Sequence, residues 1–381
     1  VKLTLADAAR QSLTTGTAGA ALLAAERALT GTGRWDTARA RITALAQGPV
    51  DGGDQVGFYH GAPAIRFILA CADADHQGRY QQAAICLDAH VARIAAARLA
   101  AARDRMRAGA TPHFREYDLL YGLTGIGALL AITQPGSEIH AATLSYAVAM
   151  TTPRRDSEGW IPGWYAANDP DPLLPTPGGH ANLGMAHGAA GLAAFLATSM
   201  RHGHVVSGQA DAIAGLLDFF ATWQQDSDDG PWWPQWLTRS ELAAGRTRQA
   251  APGRPSWCYG AVGVARALQL AGIATRDTAA QVVALAALRG AVTPRPLTKI
   301  TDAGLCHGAA GIIQTLARAA ADSSEALHDQ YCLAGRLLAE LAPAHEGPGL
   351  LTGSSGTELA RHAAGRAAPP RSGWDRCLLI V

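Results

Sequence analysis

Seven segments of this 381-residue chain share one frame: a glycine, two residues, a second small residue, and then an alanine- and leucine-rich run that reads as a helix. They are "TTGTAGAALLAAERA" (Gly16, Gly19), "YHGAPAIRFIL" (Gly61, with Ala64 in the second place), "YGLTGIGALLA" (Gly122, Gly125) and "AHGAAGLAAFLA" (Gly188, Gly191). The last three are "CYGAVGVARAL" (Gly260, Gly263), "CHGAAGIIQTLARA" (Gly308, Gly311) and "LTGSSGTELARHA" (Gly353, Gly356). Their first glycines are 45, 61, 66, 72, 48 and 45 residues apart, which accommodates one helical hairpin per unit and longer loops in the middle three. Between them lie second helical patterns such as "RWDTARARITALAQ" and "LHDQYCLAGRLLAELA", with apolar residues at three-to-four spacing. Convincing alternating strands are few, so the predicted class is all-α.

Glycines at i and i+3 beside a helix start let a loop fold tightly and let neighbouring helices approach closely. About seven hairpins with such crowded ends pack most simply as a closed ring, which also removes the exposed ends that open repeat arrays must cap. Small residues would then line the inner helices, and the loops before them would meet at one end. Chemistry is expected there.

Hydrophobic residues make up 48% of the chain and charged residues 17%, enough for a sizeable core and against disorder. With 32 Lys and Arg against 31 Asp and Glu, the balance gives no reason to expect a nucleic-acid or anionic-membrane surface. The six cysteines (Cys71, Cys86, Cys258, Cys306, Cys332, Cys377) form no secreted disulfide framework, so a reduced, cytoplasmic setting is expected. The N-terminal stretch "VKLTLADAARQSL" lacks the order of a signal peptide. Its missing Met is read as a trimmed or incomplete start. The longest apolar stretch, 119–134, is broken by glycines and runs into Pro135, which argues against a membrane span.

The residues just before each glycine pair should converge: Thr15, His60, Tyr121, His187, Tyr259, His307 and Thr352, with Cys258 and Cys306 one position further back. Helix packing does not require three histidines and two cysteines at equivalent positions. Cys258, Cys306 and His307 are either inert core cysteines beside a satisfied histidine or a zinc triad. Three such ligands would leave an open coordination position, as catalytic sites do. His187 shares the frame of His307 without the cysteine, and is either a fourth ligand or an unligated acid/base. Asp118, four residues before its glycine, either orients that imidazole or caps a helix. Arg254 is an anion clamp or a solvated loop charge, and His60 is read as structural.

Taken together, these motifs resemble the lanthionine synthetase C-like (LanC-like) peptide cyclases. The resemblance rests on Trp257-Cys258-Tyr259-Gly260, on Cys306-His307-Gly308, on His187-Gly188-Ala189-Ala190-Gly191, and on Asp118 before its G-x-x-G. With the glycine units it covers essentially the whole chain. It implies an α/α toroid with zinc at one end, held by Cys258, Cys306 and His307. His187, Asp118, Arg254 and Tyr259 become the surrounding catalytic or positioning residues. Residues 1–381 are read as one such domain, with long rim loops at about 152–181 and 223–256. No strand-rich segment is seen that would host the small extra β domain some members carry. No kinase-like or dehydratase region is seen either, so a dehydrated precursor peptide would come from a separate dehydratase, and an exporter complex is a further implied partner.

The implied reaction adds a peptide cysteine thiol across a dehydroalanine or dehydrobutyrine double bond, giving a lanthionine or methyllanthionine ring. A free thiol with pKa near ~8.5 is only about 3% ionised at pH 7, and a coordinating zinc would deprotonate it outright. His187, oriented by Asp118, is the candidate proton carrier, and Arg254 or Tyr259 would stabilise the enolate oxygen. The rim at 223–256 holds four of the nine tryptophans and is either a surface loop or a set of aromatic anchors for the peptide. Two alternatives stand beside the cyclase. One is a zinc hydrolase or other lyase, for which Glu116 is the sole nearby general-base candidate. The other is a zinc protein that binds a thiol such as glutathione without forming rings.

Overall fold

A computed structural model describes residues 3–156, 159–171, 173–323 and 327–381. Val1 at the chain's start and positions 157, 158 and 172 of the first rim loop lie outside the described residues. A short helix, α1 (Leu5–Arg10), capped by Thr4, leads into the first hairpin, α2 (Ala18–Leu29) with α3 (Trp35–Leu45). The second is α4 (Ala62–Ala72) with the long α5 (Gln81–Arg107). After the one-turn α6 (Phe114–Tyr117), α7 (Leu123–Thr133) pairs with α8 (Glu138–Thr151), and α9 (Ala189–Arg201) with α10 (Gln209–Trp223). The short α11 (Arg239–Ala244) precedes α12 (Ala261–Thr275), which packs on α13 (Thr278–Ala291). Then come α14 (Pro294–Leu297) and the hairpin of α15 (Ala309–Ala321) and α16 (His328–Glu340).

The last helix, α17 (Ser354–Arg366), follows the seventh glycine unit. Among the described residues no outer helix follows it, so the seven inner helices comprise those of six hairpins and α17. Closure is nevertheless complete. The inner helices pack in sequence, α2 on α4, α4 on α7, α7 on α9, α9 on α12, α12 on α15 and α15 on α17, and α17 returns to α2. The molecule is the expected α/α toroid. Inner helices are buried nearly all round, as in α12 from Val262 to Gly272, whereas outer helices bury a stripe, as in α13 at Ala284, Leu285, Ala287, Leu288 and Ala291. Among the described residues no helix is long and apolar enough to cross a membrane.

The glycine loops are joined to one another by backbone hydrogen bonds that run once around the ring. Leu13 N–H donates to the Tyr59 carbonyl (2.8 Å), Tyr59 to Leu120 (3.4 Å), Leu119 to Ala186 (3.0 Å), Ala186 to Cys258 (3.2 Å), Cys258 to Cys306 (3.1 Å) and Cys306 to Leu351 (2.9 Å). Leu350 then donates to Leu13 (2.7 Å), which closes the circle. Each loop must therefore fold flat against the start of its own inner helix. The second glycine makes room for this: a Cβ at Gly263 would collide with the Trp257 carbonyl, and one at Gly311 with that of Leu305.

The rim loops contain strands that sequence periodicity did not show, all of three residues. β1 (Arg154–Asp156) and β2 (Gly159–Ile161) form one antiparallel pair, and β4 (Gln225–Ser227) and β5 (Gly230–Trp232) another. β3 (His180–Asn182) pairs antiparallel with β6 (Trp236–Thr238), with Asn182 opposite Trp236, and so ties the two rim loops together. Runs this short carry too few alternations to register as a pattern.

A second unexpected feature is the segment after α17. A 3₁₀ turn at Trp374–Leu378 and the residues around it enter the middle of the ring, where Trp374, Asp375, Cys377, Leu378 and Ile380 are fully buried. Helices on all sides hold it. Glu26 accepts the Arg371 and Ser372 amides, Arg318 makes a bidentate pair with Asp375, Arg266 Nε donates to the Ile380 carbonyl, and Thr198 to that of Val381. At the loop end, the Tyr59 hydroxyl donates to the Cys377 carbonyl (2.7 Å) and Trp257 Nε1 to that of Leu378 (2.9 Å).

Two glycine substitutions should move stability in opposite directions. Gly263→Ala should cost about 3 kcal/mol because the added methyl meets backbone, which can only move by opening the loop. Gly215→Ala, on the exposed side of α10 with nothing near its Cβ position, should gain about 0.5–1 kcal/mol from helix propensity. Chemical denaturation midpoints of the two variants against wild type check both signs.

Candidate functional site

Because Cys258 and Cys306 occupy the same place in successive glycine units, the bond from Cys258 N–H to the Cys306 carbonyl sets their side chains beside each other. His307 follows directly. The two Sγ atoms and the imidazole nitrogen all lie within 4.8 Å of one another, the only such group of three or more His, Cys, Asp or Glu among the described residues. Cys258 is buried and Cys306 and His307 are half-buried. The Cys306 thiol and the His307 ring both donate towards Cys258, and this holds the Cys258 thiol well below its ordinary range. Cys306, carrying the proton beside that developing thiolate, is pushed up, and so is His307. Of the two sulfurs, Cys258 is thus the one whose ionisation its neighbours favour. Two thiolates and one imidazole are a donor set that suits zinc, and the spacing of the three groups fits it.

His187 stands outside this group of three. Its Nδ1 is taken by Asp118 Oδ2 at 2.7 Å, and its ring is packed between Phe114 (5.1 Å) and Tyr259 (5.7 Å between centroids). Asp118 is fully buried at the carboxylate, and its Oδ1 also accepts the Tyr121 and Gly122 amides, both at 2.7 Å. Asp118 does not cap a helix start, since α7 begins at Leu123 with Gly122 as its N-cap; one oxygen instead pins the loop before α7 and the other meets His187. The bond from the Ala186 amide to the Cys258 carbonyl brings the His187 loop against the Cys258 loop. Tyr259 is half-buried there, and burial pushes its hydroxyl upward, so it stays protonated at neutral pH.

Arg254 is exposed on the rim, close enough for its charge to act on Cys306 and His307. His60 stacks flat on Tyr121 (4.9 Å, 9°), and burial pushes it down to about 4, which keeps it neutral. Glu116 is engaged on both oxygens, by Arg105 (2.7 and 2.8 Å) and by the Tyr146 hydroxyl (2.9 Å), so it is not poised as a general base. The rim tryptophans are mostly core. Trp223, Trp232 and Trp233 are buried, with Trp233 Nε1 bonded to the Phe220 carbonyl, because the loop folds back on α10. Of these four only Trp236 packs on the site, edge-on to Tyr259 at 6.4 Å.

Two site residues were missed from sequence, Asn182 and Asp302. Asp302 Oδ2 lies 3.5 Å from His307 Nε2, while its Oδ1 accepts the Gly304 amide at 2.7 Å. A carboxylate behind a metal-ligating imidazole fixes its orientation and raises its basicity. The signal was a shared position, six residues before the first glycine of the motif, for both Asp302 and Asn182.

A closed helical ring with a two-cysteine, one-histidine cluster at one end, beside a buried Asp–His pair, defines a class of helical-toroid proteins with a cluster that could hold a metal ion. Comparison with known proteins narrows the class. The family model for "Lanthionine synthetase C-like protein" matches residues 7–364, and the chain belongs to the LanC-like family. Among solved structures 13 chains match. One of them, a nisin cyclase, superposes with a TM-score of 0.80 at 20% identity, covering 98% of this chain and 92% of that one. No match is found among curated proteins.

Zinc content and affinity test the ligand geometry. Cys258→Ala, Cys306→Ala and His307→Ala should each abolish stoichiometric zinc in the purified protein. Asp302→Asn should keep it but weaken affinity about 10–100-fold in a chelator competition, the usual effect of losing the group that orients a ligand.

Proposed function

We propose that this chain is a zinc-dependent lanthipeptide cyclase, acting in the cytoplasm on a dehydrated precursor peptide supplied by a separate dehydratase. The observation that carries the reading is the pairing, at one end of the ring, of the Cys258–Cys306–His307 cluster with the His187–Asp118 hydrogen bond. Family membership supports it. In the reaction a thiol S–H adds across a C=C bond: sulfur bonds to the β-carbon, the π bond breaks, and a proton reaches the α-carbon. Nothing is oxidised or reduced, and no mass is gained or lost.

Zinc held by Cys258, Cys306 and His307 would supply a Lewis-acid centre with an open position for the substrate sulfur, where ionisation is favoured. Two thiolate ligands leave that centre electron-rich, which suits a sulfur nucleophile better than water. His187 carries the proton. With Nδ1 committed to Asp118, only Nε2 is free to take the thiol proton or return one to the α-carbon, and the carboxylate stabilises the imidazolium formed in between. Arg254 and the Tyr259 hydroxyl offer a positive charge and a hydrogen-bond donor to the enolate oxygen. Glu116, the carboxylate base a hydrolase reading would call on, is engaged by Arg105 and Tyr146.

The test incubates zinc-loaded protein with a peptide bearing one dehydroalanine and one cysteine, followed by thiol alkylation and mass spectrometry. Alkylatable thiol should disappear with no change in peptide mass. His187→Ala and Asp118→Ala should keep their zinc and slow ring closure by about 10²–10⁴-fold. Thiol persisting at the uncatalysed rate with fully zinc-loaded wild type would sink the proposal.

A further inference from the structure

Asn182 and Asp302 occupy the same position in units that flank the one carrying Cys258 and Tyr259. Each accepts, through Oδ1, the amide of the glycine two residues on: Gly184 at 2.9 Å and Gly304 at 2.7 Å. Each then turns its second terminal atom to the site. For Asp302 that atom is an acceptor, and it faces a ring nitrogen of His307. For Asn182 it is a donor. The Gly184 N–H needs an oxygen opposite it, so Nδ2 is the free end of the carboxamide. This Nδ2 is buried and has no partner in ordinary hydrogen-bond geometry among the described residues, and Asn182 as a whole is 0% exposed. An unpaired buried donor is costly, about 1–3 kcal/mol, and calls for an explanation.

The neighbour is Tyr259. A Cβ built on Gly184 would lie 2.9 Å from Tyr259 Cδ1 and 3.3 Å from Asn182 Oδ1, so the ring and the carboxamide converge at one point. Asn182 is also the cross-strand partner of Trp236, whose ring meets Tyr259 edge-on. Against the effect of burial, Asn182 favours the ionised Tyr259 hydroxyl, as a donor to its oxygen would.

We infer that Asn182 is a positioning residue, which donates from Nδ2 to the Tyr259 hydroxyl oxygen and so turns the phenolic hydrogen outward, towards the carbonyl oxygen of the bound peptide. The substrate in this statement rests on the cyclase reading; the orientation of Tyr259 does not. An aspartate at 182 would reverse the pattern, because the phenol would then donate to the carboxylate and turn its hydrogen away from the peptide. Each flanking unit thus presents the complement of what it faces, an acceptor for the imidazole and a donor for the phenol oxygen.

The experiment compares full-length, zinc-loaded wild type, Asn182→Asp, Asn182→Ser, Tyr259→Phe and the two double variants. Proteins labelled with ¹³Cζ-tyrosine are examined by NMR, the Tyr259 resonance being the one lost in Tyr259→Phe. Cyclisation is followed on the dehydroalanine–cysteine peptide. Both Asn182 variants should shift the Tyr259 resonance. Their kcat should fall about tenfold, the worth of one hydrogen bond. KM should move less than about twofold, as for an interaction made in the transition state. In the Tyr259→Phe background neither substitution should cost anything more. Zinc content and the unfolding midpoint screen out a misfolded variant, and Asn182→Ser, which keeps an acceptor for Gly184 and adds no charge, serves if Asn182→Asp fails that screen. An unmoved Tyr259 resonance, or losses that multiply in the double variants, would overturn the inference. If wild type does not turn over the peptide, the cyclase reading fails while the NMR comparison still decides the orientation of Tyr259.

Discussion

The circle of seven backbone hydrogen bonds that links the glycine loops is the constraint on which the rest of the molecule depends. A single such bond contributes only about 0.5–1.5 kcal/mol. A closed set differs from the same number scattered, because each loop is fixed from both sides and none can shift without displacing two neighbours. This places residues far apart in the chain at a common level and makes equivalent positions adjacent. Cys258 and Cys306 meet because they hold the same place in neighbouring links of that circle.

On the proposed function, the side chains around the centre divide into those that would hold a cation and those that would manage protons. The first set comes from adjacent units, with Asp302 behind His307. The second comes from the loops before α7 and α9, where Asp118 is immobilised by two amides and spends its remaining oxygen on His187. His187 is therefore held through one ring nitrogen and available through the other. Tyr259 lies between the sets, in contact with His187 and Trp236 and adjacent in sequence to Cys258. In the loops before α17 and α2 the positions equivalent to His307 are Thr352 and Thr15, neither of them ionisable near neutral pH.

Much of this was legible in the sequence because the repeat is covalent in origin: a glycine pair recurs whenever a loop must press its carbonyl against an inner helix, and chemistry-bearing residues sit one or two places upstream. Closure of the ring and the meeting of Cys258, Cys306 and His307 follow from that alignment. What stayed hidden follows from other causes. The rim strands are too short to alternate. The rim tryptophans looked like anchors, but their burial depends on how the loop folds back, which composition does not encode. Asn182 and Asp302 lie four to five places upstream of the positions that drew attention. Nothing in "PRSGWDRCLLIV" marks it as a filler for the ring's middle, because its partners are single atoms on helices scattered over the whole chain.

That central segment carries a consequence for how the molecule is assembled. Ser372 meets Glu26, and Leu350 meets Leu13, so contacts between opposite ends of the chain must form before the early hairpins are covered. Such long sequence separation slows folding, since chain closure must precede the contacts that reward it. During synthesis the apolar faces of α2 and α4 would wait for α17 and the segment after it, a period of exposure in which hydrophobic surface invites aggregation. The lag between the first hairpin's emergence and the arrival of its distant partners is the interval in which this protein is most vulnerable.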